Sequence, residues 1–331
     1  MSKATAIAGS NIAFVKYWGN LNDELRIPMN GSISMTLDAA HTITTVEFSA
    51  AYKADELIIN EKPADAPAVA RASNHLNHIR QLADTTLKAR IVSQNSFPTG
   101  AGIASSASGF AALTKAAAGA LNLQLSNIEL SKLARLGSGS ASRSIDGGFV
   151  EWFPGGQHDT SYAVQIASPD HWDLVDVIAI VSAEEKKVGS TAGHPLAHTS
   201  PFYQARLGEL QTTLSRMRTA IFERDFPTFG EILEEEAISL HVASMTSRPS
   251  ILYWNAGTVT LMHALRAWRD EGDEALGYFT MDAGPNVHIL TEKQYVPALL
   301  EKLKTVTYVQ DVLGCNAGPA ARLIDESEMD R

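Results

Sequence analysis

The stretch that most constrains this chain is "NSFPTGAGIASSASGFAAL", Asn95 to Leu113. It follows "ARIVSQNSF" (89–97), which reads as a strand, and leads into an alanine-rich run from Ser105 to Leu121 that favours helix. The order is therefore strand, small-residue turn, helix. Such a turn leaves backbone N–H groups free at the positive end of the helix, and its glycines let a ligand approach them. Ser105, Ser106 and Ser108 add hydroxyls for phosphate oxygens or a metal. Two readings stand at this point: a flexible connector before a helix, or a cradle for a polyphosphate. It is not a Walker A loop, because Gly-Lys-Ser/Thr occurs nowhere, and there is no Gly-x-Ser-x-Gly elbow.

Around this segment the pattern alternates strands and helices. Residues 4–16, 32–38 and 41–49 read as strands, and 66–83 has helical spacing. A helix over 126–136 ends at Gly137, expected as its C-cap. "GGFVEWFP" and "YAVQIA" read as paired strands and 172–182 as a buried one. After Gly193 the chain turns helical over 201–222, 225–243 and 255–271. "ALGYFTMDAG", "NVHILTE", a helix near 295–304 and "TVTYVQDV" follow. Strands first and helices later predict an α+β chain of two parts, 1–185 and 186–331. With 331 residues, 45% of them hydrophobic, it can build a sizeable core.

Charge and cysteine content narrow the function classes. Lys+Arg 27 against Asp+Glu 37 gives a net −10, which argues against nucleic acid or an anionic membrane as partner. A local basic pocket for a phosphorylated metabolite is compatible with that total. Cys315 is alone, so no internal disulfide forms, which suits a reducing cytoplasm and a small core residue. "MSKATAIAGSNIAF" has no secretory pattern, and "FAALTKAAAGALNL" is broken by Lys115 and too short for the roughly 20 residues of a membrane span. A soluble, cytoplasmic protein acting on a small molecule is expected.

Three further segments carry chemistry. "RLGSGSASRSIDGGFVEW" sets Ser138, Gly139 and Ser140 beside Arg143, a combination that suits a carboxylate or phosphate; an ordinary structural ion pair at Arg143 is the alternative. In "MDAGPNVHIL", Asp282 stands where a strand gives way to a Gly-Pro turn, either projecting into a cleft or capping the turn. "NIAFVKYWGN" places Lys16, Tyr17 and Trp18 at a strand end, as pocket residues or as a partly buried aromatic edge. The histidine pairs His75/His78 and His194/His198 lack a third ligand, so no zinc site is expected. Glu234-Glu235-Glu236 reads as a solvated helix face.

Together these segments resemble the diphosphomevalonate decarboxylase family of the GHMP kinase superfamily. Asn11–Asn20 is similar to the family's "NIAxxKYWGK", Pro28–Leu37 to "PxNxSxSxTL" and Phe97–Gly109 to its phosphate loop "FPTxAGxASSAxG". Gly137–Trp152 resembles "GSGSAxRSxxGGFVEW", and Thr280–Asn286 resembles "TMDAGPN". Lys186–His194 is similar to "KxxxSTxGM", with His194 where methionine is usual. The resemblance implies an N-terminal ribosomal-protein-S5-like domain, a ferredoxin-like C-terminal domain, and an active site between them. It also implies ATP-dependent phosphorylation of a 5-phosphorylated mevalonate at its C3 hydroxyl, followed by loss of phosphate and CO2, and a homodimer.

By the same resemblance Asp282 orients or deprotonates the C3 hydroxyl, Arg143 clamps the C1 carboxylate, Asn11 orients Arg143, and Lys16 neutralises developing phosphate charge. Pro98, Gly100, Ala101, Gly102, Ala104, Ser105, Ser106 and Ser108 are implied to cradle ATP, with Ser105 at Mg2+. Tyr17, Ser138, Gly139 and Ser140 are implied to hold the 5-phosphate, and Arg71, Ser190 and Thr191 to face nucleotide or substrate phosphates. One position departs: Asn20 stands where the family's lysine contacts the 5-diphosphate. A neutral amide there removes roughly 1–3 kcal/mol of attraction for a terminal phosphate, which favours mevalonate 5-phosphate over the 5-diphosphate as substrate; the diphosphate, and a kinase that does not decarboxylate, are the alternatives.

Overall fold

The computed structural model describes residues 2–97, 105–184, 188–272, 276–325 and 328. The first half lays down β1 (Ser2–Val15), a hairpin of β2 (Asn20–Asn22) and β3 (Ile27–Pro28), and the long β4 (Ser32–Ser49). Then come β5 (Glu56–Ile59), β6 (Lys62–Pro63), α1 (Ala66–Leu82), β7 (Lys88–Asn95), α2 (Ser105–Ala120), α3 (Asn127–Gly137), β8 (Phe149–Phe153) and β9 (Tyr162–Ala167). A 3-10 turn, Gly139–Ser144, joins α3 to β8. The second half comprises β10 (Leu174–Ile180), α4 (Ser190–Gly193), α5 (Tyr203–Glu223), α6 (Phe226–Met245), α7 (Ala256–Asp270), β11 (Tyr278–Thr280), β12 (Val287–Glu292), α8 (Val296–Leu303), β13 (Asp311–Asn316) and β14 (Arg322–Ile324).

The α+β mixture expected from the sequence resolves into two main sheets. In the first, the order is β14-β1-β4-β7-β5-β6, with β8 and β9 added along the other half of β4. Residues 42–49 of β4 pair with β7 and residues 32–35 with β8, so one strand serves two partners. The second sheet runs β11-β12-β10-β13, all antiparallel. Sheet membership thus changes between Ala167 and Leu174, ahead of the 185/186 division expected from the sequence. β10 looked like the last strand of the N-terminal part, but its partners β12 and β13 lie more than a hundred residues later. Conversely, β14 returns to pair with β1. Among the described residues no helix is long and apolar enough to cross a membrane.

Helix packing follows from residue size. In α2, Ala111, Ala112, Ala116, Ala117 and Ala120 are buried, so the helix presses closely on the first sheet beside α1 and α3. The start of α3 carries a capping box between Ser126 and Glu129, worth about 1 kcal/mol. Gly137 is not the C-cap that the sequence suggested; Ser138 is. A Cβ at Gly137 would lie 2.0 Å from the Phe110 ring, so glycine is needed there for contact between α2 and α3. The strand expected in "TVTYVQDV" begins late, at Asp311, because Val306 is drawn into the core and 305–309 closes turns onto α8.

The two sheets share a core. Phe14 of β1 meets Phe229 of α6 edge-on at 4.8 Å, and Ile178, Leu290 and Cys315 of the second sheet join the same cluster. Cys315 is a buried core thiol, its ionisation pushed well up by burial. This shared core fixes the end of β1, and hence Lys16, against the loop after β11.

Candidate active site

The described residues enclose a cavity of about 260 Å3 between the first sheet, the start of α2, the Ser138–Ser140 segment, α4 and the turn after β11. Lys16 enters it immediately beyond β1 and donates from Nζ to Asp282 Oδ1 at 2.8 Å. Asp282 comes from the turn after β11 and keeps 26% of its side-chain surface open, whereas Lys16 keeps 1%. Burial alone would raise the Asp282 carboxyl; the charge and hydrogen bond of Lys16, with the charges of His288 and Arg143, hold it below the usual carboxylate range. Burial also lowers the Lys16 ammonium, in spite of Asp282. The result is a carboxylate ionised at neutral pH beside a buried lysine.

The backbone of Lys16 is itself pinned. Its N–H donates to Glu236 Oε2 at 3.0 Å, and its carbonyl accepts from Asn30 Nδ2 and from the Arg206 guanidinium. Arg206 and Glu236 form a buried ion pair at 2.9 Å. Glu234 is buried too, against Arg269. Two glutamates of the expected solvated face are therefore internal, because α6 is enclosed by α5, β1 and β11, and their charges are matched by arginines on α5 and α7. Removing one partner of such a pair costs about 3–5 kcal/mol.

Arg143 lies in the 3-10 turn, fully desolvated. Its Nε donates to Ser34 Oγ at 3.1 Å, Nη1 to Ser32 Oγ at 2.7 Å and Nη2 to Asn11 Oδ1 at 3.0 Å. Asn11 is held in turn, its Nδ2 donating to Ser140 O and Ser144 Oγ. A guanidinium has five N–H donors, so three neutral acceptors leave two free, one on each terminal nitrogen. No carboxylate pairs with Arg143 among the described residues, and burial pushes its ionisation down to about 10. The ordinary structural ion pair considered from the sequence is thus not what the residue makes. Ser32 and Ser34, alternate residues on one face of β4, were not singled out in the sequence; their period-two spacing was the available signal.

The phosphate-type ligands converge on the same cavity. Tyr17, Ser138, Gly139 and Ser140 line the cavity with Ser105, Ser106, Ser190, Thr191 and Arg71. The Oγ atoms of Ser106 and Ser138 lie 3.1 Å apart, joining the start of α2 to the end of α3. A Cβ at Gly139 would come within 2.7 Å of the Tyr17 ring. Tyr17 stacks on His194 at 4.2 Å, and His194 Nδ1 accepts from the Gly19 N–H; burial pulls that imidazole down to about 3, so it is neutral. Trp18 is fully buried rather than a half-exposed edge.

Three expected residues lie elsewhere. Ser108 is buried and shares a 2.7 Å hydrogen bond with Thr42, so it ties α2 to β4 and does not line the cavity. Asn11 stands behind Arg143. Asn20 is beside the cavity rather than in its wall: its Oδ1 accepts from Tyr17 Oη at 2.5 Å and its Nδ2 donates to Asp23 at 2.8 Å. Pro98, Gly100, Ala101, Gly102 and Ala104 lie outside the described residues. Arg26 and Arg135, missed from the sequence as common surface charges, hold the β2–β3 hairpin to the end of α3. No group of three metal-binding side chains of the His/Cys/Asp/Glu type occurs among the described residues. The cations, amides and hydroxyls suit a polyanion, with serine hydroxyls such as Ser105 available to an oxygen-liganded cation.

Comparison with known proteins gives a consistent result. Residues 8–163 match the model of the diphosphomevalonate decarboxylase-like N-terminal domain, and residues 176–324 that of the mevalonate 5-diphosphate decarboxylase C-terminal domain. Diphosphomevalonate decarboxylase mvd1 of Aspergillus fumigatus is 41% identical over 310 residues, covering 87% of this chain and 76% of that protein. Phosphomevalonate decarboxylase of Haloferax volcanii is 34% identical over 327 residues, covering 98% and 99%. A solved structure described as MDDEF in complex with MVAPP, AMPPCP and magnesium superimposes with a TM-score of 0.92 at 41% identity, covering 98% of this chain and 99% of that one.

Proposed function

Because the chain belongs to the diphosphomevalonate decarboxylase family, ATP-dependent decarboxylases of the mevalonate pathway with a GHMP kinase-like fold, we propose that it converts mevalonate 5-phosphate, ATP-dependently, to isopentenyl phosphate, CO2, ADP and phosphate. The observation that carries decarboxylation is Arg143, a desolvated guanidinium with two free donors that lines the same cavity as the Lys16–Asp282 pair. The choice of the monophosphate rests on Asn20, whose amide is committed to Tyr17 and to the Asp23 carboxylate where the family places a cation. A relative named for the monophosphate, from Haloferax volcanii, matches from end to end.

ATP with Mg2+ supplies the phosphoryl group, held by the start of α2 at Ser105 and Ser106 and by Ser190. The chain's own residues then act on the other substrate. Arg143, oriented by Asn11, Ser32 and Ser34, takes the C1 carboxylate bidentately and fixes its direction. Tyr17, Ser138, Gly139 and Ser140 hold the 5-phosphate, with Arg71 and Thr191. Asp282 orients the C3 hydroxyl and takes its proton as the oxygen bonds to the γ-phosphorus, the bond to the bridging oxygen breaking with its electron pair leaving on ADP; Lys16 offsets the charge that develops on the transferring group. Phosphorylation turns a poor leaving group into a good one. As the C3–O bond breaks with its electron pair going to phosphate, the C1–C2 pair forms the C2=C3 bond and CO2 departs.

A second reading, the 5-diphosphate as substrate, draws on the names of most of the relatives and on the MVAPP complex. A kinase that stops at the 3-phosphate leaves the Arg143 clamp without a purpose. Purified protein with ATP, Mg2+ and each phosphorylated mevalonate, assayed for ADP and isopentenyl product, separates these cases: turnover of the diphosphate alone removes the substrate assignment. A cytoplasmic homodimer belongs to the same proposal, and light scattering of the eluted protein checks its assembly.

A further inference from the structure

The β2–β3 hairpin brings a second guanidinium to the phosphate wall. Arg26 lines the cavity, and its Nε donates to the Leu136 carbonyl at 3.0 Å. Arg71, also in the wall, donates from Nη2 to the next carbonyl, Gly137, at 2.9 Å and stacks over the Phe110 ring at 4.6 Å. Two arginines are thus anchored on consecutive carbonyls at the negative end of α3, immediately before Ser138 and Gly139. The hairpin is held from the other side as well, since Arg135 donates to the Leu25 carbonyl. Neither Arg26 nor Arg71 has a carboxylate partner among the described residues, and the buried Nε of Arg71 has no hydrogen-bond partner there. Burial, and then the charge of Arg26, draw Arg71 down to about 10. Two like charges held side by side with free donors make an arrangement that an anion would relieve.

The backbone agrees. Arg26 has φ +49°, in the left-handed region that non-glycine residues rarely adopt. That conformation turns the chain into β3 while keeping the side chain on the α3 terminus; nothing in hairpin closure requires arginine there, since asparagine or glycine suits it better. Position 20 carries an amide bound to Asp23, and the cation stands at position 26.

We propose that Arg26 is a ligand of the phosphate ester group on C5 of the substrate, acting with Arg71. This rests on the functional reading above for the identity of the substrate. The chemistry recognised is a phosphate ester oxygen facing two guanidiniums, carried either by a monophosphate or by the proximal phosphate of a diphosphate. Arg26 binds; it does not touch the reacting C3 centre.

The test is steady-state kinetics of the whole protein, wild type, Arg26→Gln and Arg26→Lys, with KM read separately for ATP, mevalonate 5-phosphate and mevalonate 5-diphosphate. Loss of a charge-assisted contact predicts that Arg26→Gln raises KM for the phosphorylated mevalonate roughly 10- to 150-fold, far more than it changes kcat, and leaves KM for ATP alone. Arg26→Lys recovers part of that loss. An unchanged KM for the phosphorylated mevalonate in a variant of wild-type thermal stability overturns the proposal, and so does a rise confined to ATP. If Arg26→Gln fails to fold, Arg26→Lys is read on the same constants, and unchanged values overturn it equally. Wild-type turnover of the diphosphate alone defeats the substrate assignment while leaving Arg26 testable on the diphosphate KM. If neither substrate turns over, calorimetric binding of mevalonate 5-phosphate to wild type and variant decides the matter.

Discussion

Replacing Arg143 by methionine separates a residue that serves the ligand from one that serves the fold. In the structure its guanidinium is buried with three neutral acceptors and no hydrogen-bonded carboxylate among the described residues, the charge of Asp282 acting on it only at longer range. Such burial costs the folded state free energy. Methionine fills much of the same volume without it, while Ser32 and Ser34 can turn their hydroxyls and Asn11 keeps its contacts to Ser140 and Ser144. Stability is therefore expected to be unchanged or slightly higher. The two remaining donors, each giving a charge-assisted bond to the C1 carboxylate worth about 1.5–3 kcal/mol, sum to about 3–6 kcal/mol of lost binding and orientation. That is a fall of roughly 150- to 25,000-fold in kcat/KM. The assay is ADP and CO2 release against mevalonate 5-phosphate, with thermal unfolding measured on the same preparation. A loss of less than tenfold (about 1.4 kcal/mol) would refute the clamp, and an activity loss matched by a collapse in Tm would make Arg143 a structural residue.

Further expectations concern the Lys16–Asp282 pair and the hairpin. Asp282→Asn lowers kcat by about 100- to 10,000-fold while ATP binding, followed by calorimetry, stays intact; near-normal turnover contradicts the role given to the carboxylate. For Lys16→Met the sign runs upward, since burial raises the Asp282 carboxyl and Lys16 is the main influence lowering it. The acid limb of kcat is expected to move to higher pH in the variant, and an unmoved limb means that another group titrates. The same carboxyl, lower in the folded state than in the unfolded chain, contributes stability that is present above its unfolded value and lost as pH falls through the folded one. Asn20→Lys, which sets a cation beside Tyr17 and Asp23, shifts the ratio of kcat/KM values toward the diphosphate; an unchanged ratio places specificity elsewhere.

What was legible in the sequence was whatever depended on local order. Small residues between a strand and an alanine helix, a serine-glycine run before Arg143, and an aspartate before a Gly-Pro turn each imply a position at an element end, where ligands bind. Pairings over long sequence distance were not legible. β10 gave no sign that it joins strands a hundred residues later, nor Glu236 that Arg206 would enclose it. Ser108 looked like its neighbours Ser105 and Ser106, and only the rotation of α2 against Thr42 separates them. Arg26 sits in the acidic turn "NDELR", where a charge is ordinary; its role follows from the carbonyl of Leu136, a contact across 110 residues. Asn20 was read from the sequence as the position deciding phosphate number, and the structure adds Asp23 and Arg26 to that question.

The central claim is that this site both phosphorylates and decarboxylates a substrate bearing one phosphate. It is tested most directly by incubating the protein with ATP, Mg2+ and carboxyl-labelled mevalonate 5-phosphate and counting labelled CO2 against ADP. One CO2 per ADP is the predicted result. ADP without CO2, or turnover that requires the diphosphate, would contradict it.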